Sequence, residues 1–177
     1  MKAARSFALL AVTCLAGVAM AGAYAQDSDI PNRAEPIEGI TTAGQPSAKA
    51  LSELADQGYT TVIDLRGKEE DRGFDEAATV EGLGMKYIQL PISGADDISY
   101  DNANALDQIL QDLHGPALLH CSSSNRVGAL LTLRAKLHGE DDDSALALGE
   151  EAGLTRLKPA VEEVLSKSPP PESEQSQ

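Results

Sequence analysis

Apolar and polar positions along the chain alternate in two ways, in short β-branched runs and in longer stripes at helical spacing. Residues 39–43 read as a short strand, and Gly44-Gln45-Pro46 turns the chain. Ser47 is a suitable N-cap, and Ala50, Leu51, Leu54 and Ala55 follow as one helical face up to Gly58. Residues 59–65 are β-branched and apolar, which predicts a central strand. A charged loop at 66–73 leads to a short helix at 74–83, closed by Gly84, and to a strand at 85–90 ended by Pro91. Past a loop at 93–99, Ala103, Leu106, Leu110 and Leu113 mark one face of a helix at 100–113. Gly115-Pro116 breaks it before a buried strand at 117–120. Helices are predicted at 126–137, 144–152 and 157–165, with a turn at 139–143 whose three acids read as solvated. The first of these three helices is apolar enough to be central and buried.

Strands that alternate with helices predict an α/β fold, with a mostly parallel sheet flanked by helices. Residues 39–166 make one domain, preceded by an extended arm at 26–38 and followed by a Pro/Ser/Glu/Gln-rich disordered tail at 167–177. In such sheets ligands gather where the strands end. That edge would collect Asp64 and Arg66, the loop at 91–97, and residues 121–126.

The first 25 residues change the picture of where the domain works. Lys2 and Arg5 precede an apolar run of small residues, and Ala23-Tyr24-Ala25 is a cleavage signature. A signal peptide at 1–25 is expected, with a mature chain from Gln26 in the periplasm or secreted, and no membrane insertion after cleavage. Cleavage discards Cys14 and leaves Cys121 as the single thiol. The net charge of −14 disfavours nucleic-acid partners. Any anion site on this chain must create its own positive potential.

One stretch has that capacity. Leu118-Leu119-His120-Cys121 ends a strand, Ser122-Ser123-Ser124-Asn125 forms a tight polar loop, and Arg126 opens a helix. Main-chain N–H groups in such a loop, and the helix N-terminus, attract an anion and stabilise a thiolate on Cys121. Arg126 at a helix start opposes the dipole, which an anionic partner would offset. His120 is expected to organise the loop through hydrogen bonds. Asp64 and Arg66 either line the site or form an ion pair. No residue spacing points to a metal, and the chemistry calls for no cofactor.

Cysteine-dependent phosphatases share this frame, with the thiolate as nucleophile, Arg and loop N–H groups on the phosphoryl oxygens, and an Asp as acid. They place Arg six positions after Cys; here the step is five, as in rhodanese-type sulfurtransferases, whose loop cradles a persulfide. Residues 40–47, 58–66, 87–92 and 120–128 together make the chain resemble a bacterial phosphatase-like family. That family is related to the domain found beside beta-lactamase-like hydrolases and is similar to dual-specificity phosphatases. The resemblance implies a phosphatase-like α/β fold, Cys121 as nucleophile, Arg126 as anion ligand, and Asp96 or Asp97 as the acid. Two positions depart from it. Ser124 replaces a Gly that would allow positive φ, at a cost of about 1 kcal/mol or more. Val127 replaces a Ser or Thr that would bond the thiolate. The expected partner is a small anionic or phosphorylated substrate. A sulfurtransferase using a Cys121 persulfide, and a non-catalytic anion- or redox-binding module, are the alternatives.

Overall fold

The structure, a computed structural model, describes residues 30–167. The signal peptide expected at 1–25, the first residues of the arm and the tail past Lys167 lie outside the described residues. In chain order the elements are β1 (Ala34–Ile37), β2 (Ile40–Ala43), α1 (Ala48–Asp56), β3 (Thr61–Asp64), α2 (Glu76–Gly82) and β4 (Lys86–Gln89). A one-turn 3-10 helix at Ala95–Asp97 follows, then α3 (Tyr100–Gln111), β5 (Ala117–His120), α4 (Asn125–Leu137), α5 (Asp142–Glu151) and α6 (Lys158–Lys167).

The five strands form one sheet in the order β1-β2-β5-β3-β4, parallel except for the β1–β2 pair. Every residue of β2, β3 and β5 is buried, because helices cover both faces of the sheet centre. Val62 and Leu118 pack toward Leu51, Leu54 and Val80 on one face. Ile63 and Leu119 pack toward Leu106, Leu130 and Leu131 on the other.

Two expectations need correction. Residues 34–37, read as part of an extended arm, form β1, a hairpin partner of β2 with Ile37 opposite Ile40. Pro36 weakens a strand pattern, but an edge strand accommodates a proline. The acids at 141–143 are exposed, as expected of solvated groups, but they open a helix rather than lie in a turn. Asp141 caps α5 by accepting from the Ser144 N–H, and Asp142 and Asp143 occupy the first turn, where the helix dipole favours negative charge.

The α4 helix is buried along nearly its whole length. A Cβ at Gly128 would come within 2.3 Å of the Leu154 nitrogen and 2.4 Å of the Gly149 oxygen, so α4 and α5 pack backbone to backbone. This fixes the start of α4, and with it the loop that carries Cys121.

Candidate active site

Strand register brings the site together. Ala43 and Asp64 are the neighbours of His120 on its two sides, so β2, β3 and β5 end level. The chain then leaves all three strands at the same edge. The Cys121 N–H donates to the Ala43 carbonyl, and the Gln45 N–H donates to the Ser122 carbonyl, both at 3.3 Å. Asn32 Nδ2 donates to the Ser123 carbonyl at 3.3 Å. Gly44 passes so close that a Cβ would lie 2.9 Å from the Ser122 oxygen. The Gly-Gln-Pro segment, expected only as a turn, therefore clamps the cysteine loop. With the Ser122 and Ser123 carbonyls engaged in this way, the N–H groups of Ser122, Ser123, Asn125 and Arg126 donate to no acceptor among the described residues. Such a row of free donors at a helix N-terminus suits an anion.

The turn into α4 depends on Ser124, whose φ of 62° lies in the left-handed region. The strain anticipated from the missing glycine is real, and it has a local offset. The buried Ser124 Oγ donates to the Ala152 carbonyl at 2.7 Å. Asn125 follows, with its main-chain N–H in the loop. Its side chain turns from the anion loop toward the segment before α6, where Oδ1 accepts from the Thr155 N–H (2.8 Å), the Thr155 hydroxyl (3.1 Å) and the Leu157 N–H (3.3 Å). Only its main chain belongs to the loop, because the preceding turn points the side chain at unpaired donors.

Arg126 and Cys121 are adjacent. The guanidinium is raised above its ordinary range, first by the carboxylate of Glu70 and further by Cys121 beside it. Arg126 Nη1 donates to Glu70 Oε1 (2.5 Å) and to the Ile92 carbonyl (2.7 Å). Nη2 donates to Glu70 Oε2 (2.9 Å) and to Ser122 Oγ (3.2 Å). Glu70 also accepts from the Gly67 N–H at 2.7 Å and from Arg66 Nε at 3.1 Å. The Arg126 hydrogen bond, more than any other contact, holds its carboxyl down at about 2. Glu70 falls within the charged loop expected at 66–73. Its one local signal is a four-residue step from Arg66, the spacing of an ion pair.

A second polar layer lies behind the loop. Asp64, expected to line the site or to pair with Arg66, is fully buried and pairs with Arg72 instead. Its Oδ1 accepts from the Arg66 N–H at 2.7 Å, and its Oδ2 accepts from Arg72 Nε and the Tyr87 hydroxyl, each at 2.7 Å. Burial first, and then Asp64, hold the Tyr87 phenol well above its ordinary range. The Arg66 side chain binds Gln45 Oε1, Glu70 and the Asp71 carbonyl, and so reaches the site through Glu70.

His120 Nδ1 lies 3.4 Å from the Cys121 carbonyl. Its Nε2 lies 3.1 Å from Glu76 Oε1 and 3.8 Å from Asp64 Oδ1. The Nε2–Oε1 approach is short enough for an ion pair but is not aligned as a hydrogen bond. Asp64, Glu76 and His120 present one ligand-type atom each within 4.8 Å of one another, a set able to hold a metal ion. The Arg72 guanidinium already lies 2.6 Å from Asp64 and 3.5 Å from Glu76 and supplies positive charge there.

The loop expected to hold the acid reaches Arg126 through Ile92. Asp97 Oδ2 accepts from the Ser93 N–H at 2.6 Å and shapes this loop, while Asp96 is exposed on the single 3-10 turn.

Comparison with known proteins agrees with this architecture. A beta-lactamase hydrolase-like protein of Agrobacterium fabrum (strain C58) is 30% identical over 106 residues, 58% of this chain and 24% of the relative. The chain thus spans about a quarter of the length of that curated relative. Among solved structures, the nma1982 protein of Neisseria meningitidis Z2491 aligns with a TM-score of 0.64 at 20% identity, over 75% of this chain and 96% of that one. TpbA of P. aeruginosa, solved in complex with pTyr, aligns with a TM-score of 0.58 at 18% identity, over 78% of this chain and 91% of that one. At such identities the likeness establishes the phosphatase fold. The model of the family described as "DSP-PTPase phosphatase fused to NAD+ Kinase" matches residues 14–155, most of the sequence, and the chain belongs to that family.

Proposed function

We propose that this chain is a cysteine-dependent phosphatase acting on phosphate monoesters. One observation carries the reading: beside the Cys121 sulfur, Arg126 already grips an oxyanion, the Glu70 carboxylate, next to a row of free main-chain N–H groups. A phosphoryl group needs the same reception.

In the first step the Cys121 thiolate attacks phosphorus. The N–H groups of Ser122, Ser123, Asn125 and Arg126 and the Arg126 guanidinium hold the non-bridging oxygens. The P–O bond to the leaving group breaks, and Asp96 or Asp97 gives that oxygen a proton. In the second step water attacks the phosphocysteine, gives its proton to the same carboxylate, and releases phosphate and the thiolate. His120 keeps the Cys121 carbonyl turned toward its ring. Val127 gives the departing thiolate no hydroxyl, so the second step rests on Arg126 and the loop N–H groups. The pTyr bound to TpbA makes an aryl phosphate a suitable first substrate. The phosphatase family membership favours phosphorus over the sulfur chemistry that the five-residue step alone left open. The basic and apolar residues before Ala23-Tyr24-Ala25 support a periplasmic or secreted place of action.

The test is hydrolysis of an aryl phosphate by wild type, Cys121→Ser and Arg126→Ala. The expected loss in kcat/KM is about a thousandfold or more for Cys121→Ser and about a hundredfold for Arg126→Ala. Hydrolysis that survives in Cys121→Ser overturns the proposal.

A further inference from the structure

The terminal nitrogens of an arginine carry four N–H bonds. In Arg126 all four are used, two by Glu70, one by the Ile92 carbonyl and one by Ser122 Oγ. A phosphoryl group that is to be held by both of these nitrogens must displace a partner. Ile92 and Ser122 are neutral partners. Glu70 is the charged one, and it is also the movable one, about a third exposed on the loop between Gly67 and Gly73. With Glu70 in place, Cys121 is fully buried although Ser122 beside it is exposed.

We infer that Glu70 is a specificity-determining residue, an internal carboxylate on Arg126 that a ligand must displace, so that the site favours dianionic phosphoryl groups over singly charged anions. The inference rests on the reading of the Cys121–Arg126 loop as a phosphoryl site. A singly charged ligand replaces one charge on Arg126 with an equal one, whereas a dianion adds a charge. Displaced Glu70 is not stranded, because Arg66 Nε and the Gly67 N–H still hold it. That gives Arg66 a role as the second seat of this carboxylate. Glu70 stays ionised at every pH at which phosphate is a dianion, so pH does not open the site.

The experiment measures binding of inorganic phosphate, at a pH where it is a dianion, and of nitrate, by titration calorimetry. Wild type, Glu70→Gln and Glu70→Ala are compared. The rate of Cys121 alkylation by iodoacetamide in each unliganded protein is a second, independent readout of site closure. The expected result is phosphate binding about tenfold tighter in both variants, a larger gain for nitrate, and alkylation about tenfold faster. Phosphate binding that is unchanged or weaker in both variants, with alkylation no faster, overturns the inference and makes Glu70 a holder of Arg126. Absence of phosphate binding in all three proteins is a different failure. It removes the phosphoryl-site reading and this inference with it.

Discussion

Arg72 Nε donates to the buried Asp64 Oδ2 at 2.7 Å, directly behind the loop that carries Cys121. Removing one partner of a buried pair leaves an uncompensated charge, typically at about 3–5 kcal/mol. Arg72→Met is therefore expected to lower unfolding free energy by about 3 kcal/mol in urea titration. Tyr87→Phe, which removes a second donor to the same oxygen, should cost about 1 kcal/mol. A loss below about 1 kcal/mol in Arg72→Met would show that Asp64 is not held as an ion by this contact.

The positive φ of Ser124 and its hydrogen bond to Ala152 act in opposite directions. Ser124→Gly relieves the backbone and loses the bond, so its stability should stay within about 1 kcal/mol of wild type. Ser124→Ala keeps the strain and loses the bond, and should be destabilised by about 1–2 kcal/mol. Urea unfolding of the two variants side by side separates these contributions. An Ala variant as stable as the Gly variant would contradict the account.

Asn125 joins the start of α4 to the segment before α6 through a single oxygen that three donors share. Asn125→Ala leaves those donors without an acceptor and should cost about 2 kcal/mol. In amide hydrogen exchange the Thr155 and Leu157 N–H groups should lose protection first, while the centre of α4 keeps it.

Glu70 has a folded-state pKa of about 2, below its ordinary value of 4.5, chiefly because of Arg126. A depressed carboxyl contributes stability above its unfolded pKa and loses it as pH falls through the folded value. Wild type should therefore exceed Glu70→Gln in stability at neutral pH, and the gap should close as pH falls from about 4.5 to about 2. The pair is partly exposed, which keeps the neutral-pH gap to about 1 kcal/mol or less. Unfolding curves across that acid range check it. A gap that widens on acidification contradicts the sign.

Much of this arrangement was legible in the residues. Apolar runs such as 117–120, and stripes such as Ala103-Leu106-Leu110, locate buried strands and helices because burial on two faces or on one leaves different patterns. The His-Cys and Arg frame, and the strain at Ser124, were also readable, since both are local properties of one loop. What stayed hidden depends on where side chains meet. Glu70 reaches an arginine 56 positions away, and its one local signal, the four-residue step from Arg66, points to a different arginine. Asp64 and Arg66 are close in sequence, yet the strand sends the carboxylate inward to Arg72. The partners of the Asn125 side chain, Thr155 and Leu157, lie 30 and 32 positions along the chain. β1 was missed because Pro36 weakens a strand pattern that edge pairing tolerates.

The central claim is that Cys121 is the nucleophile, and the most direct measurement is to quench the protein with acid during turnover of an aryl phosphate and map its peptides by mass. The account predicts one phosphoryl group, carried by the peptide that contains Cys121 and absent from that peptide after Cys121→Ala substitution. Continued hydrolysis by Cys121→Ala, or a phosphoryl group found only on another residue, would contradict it.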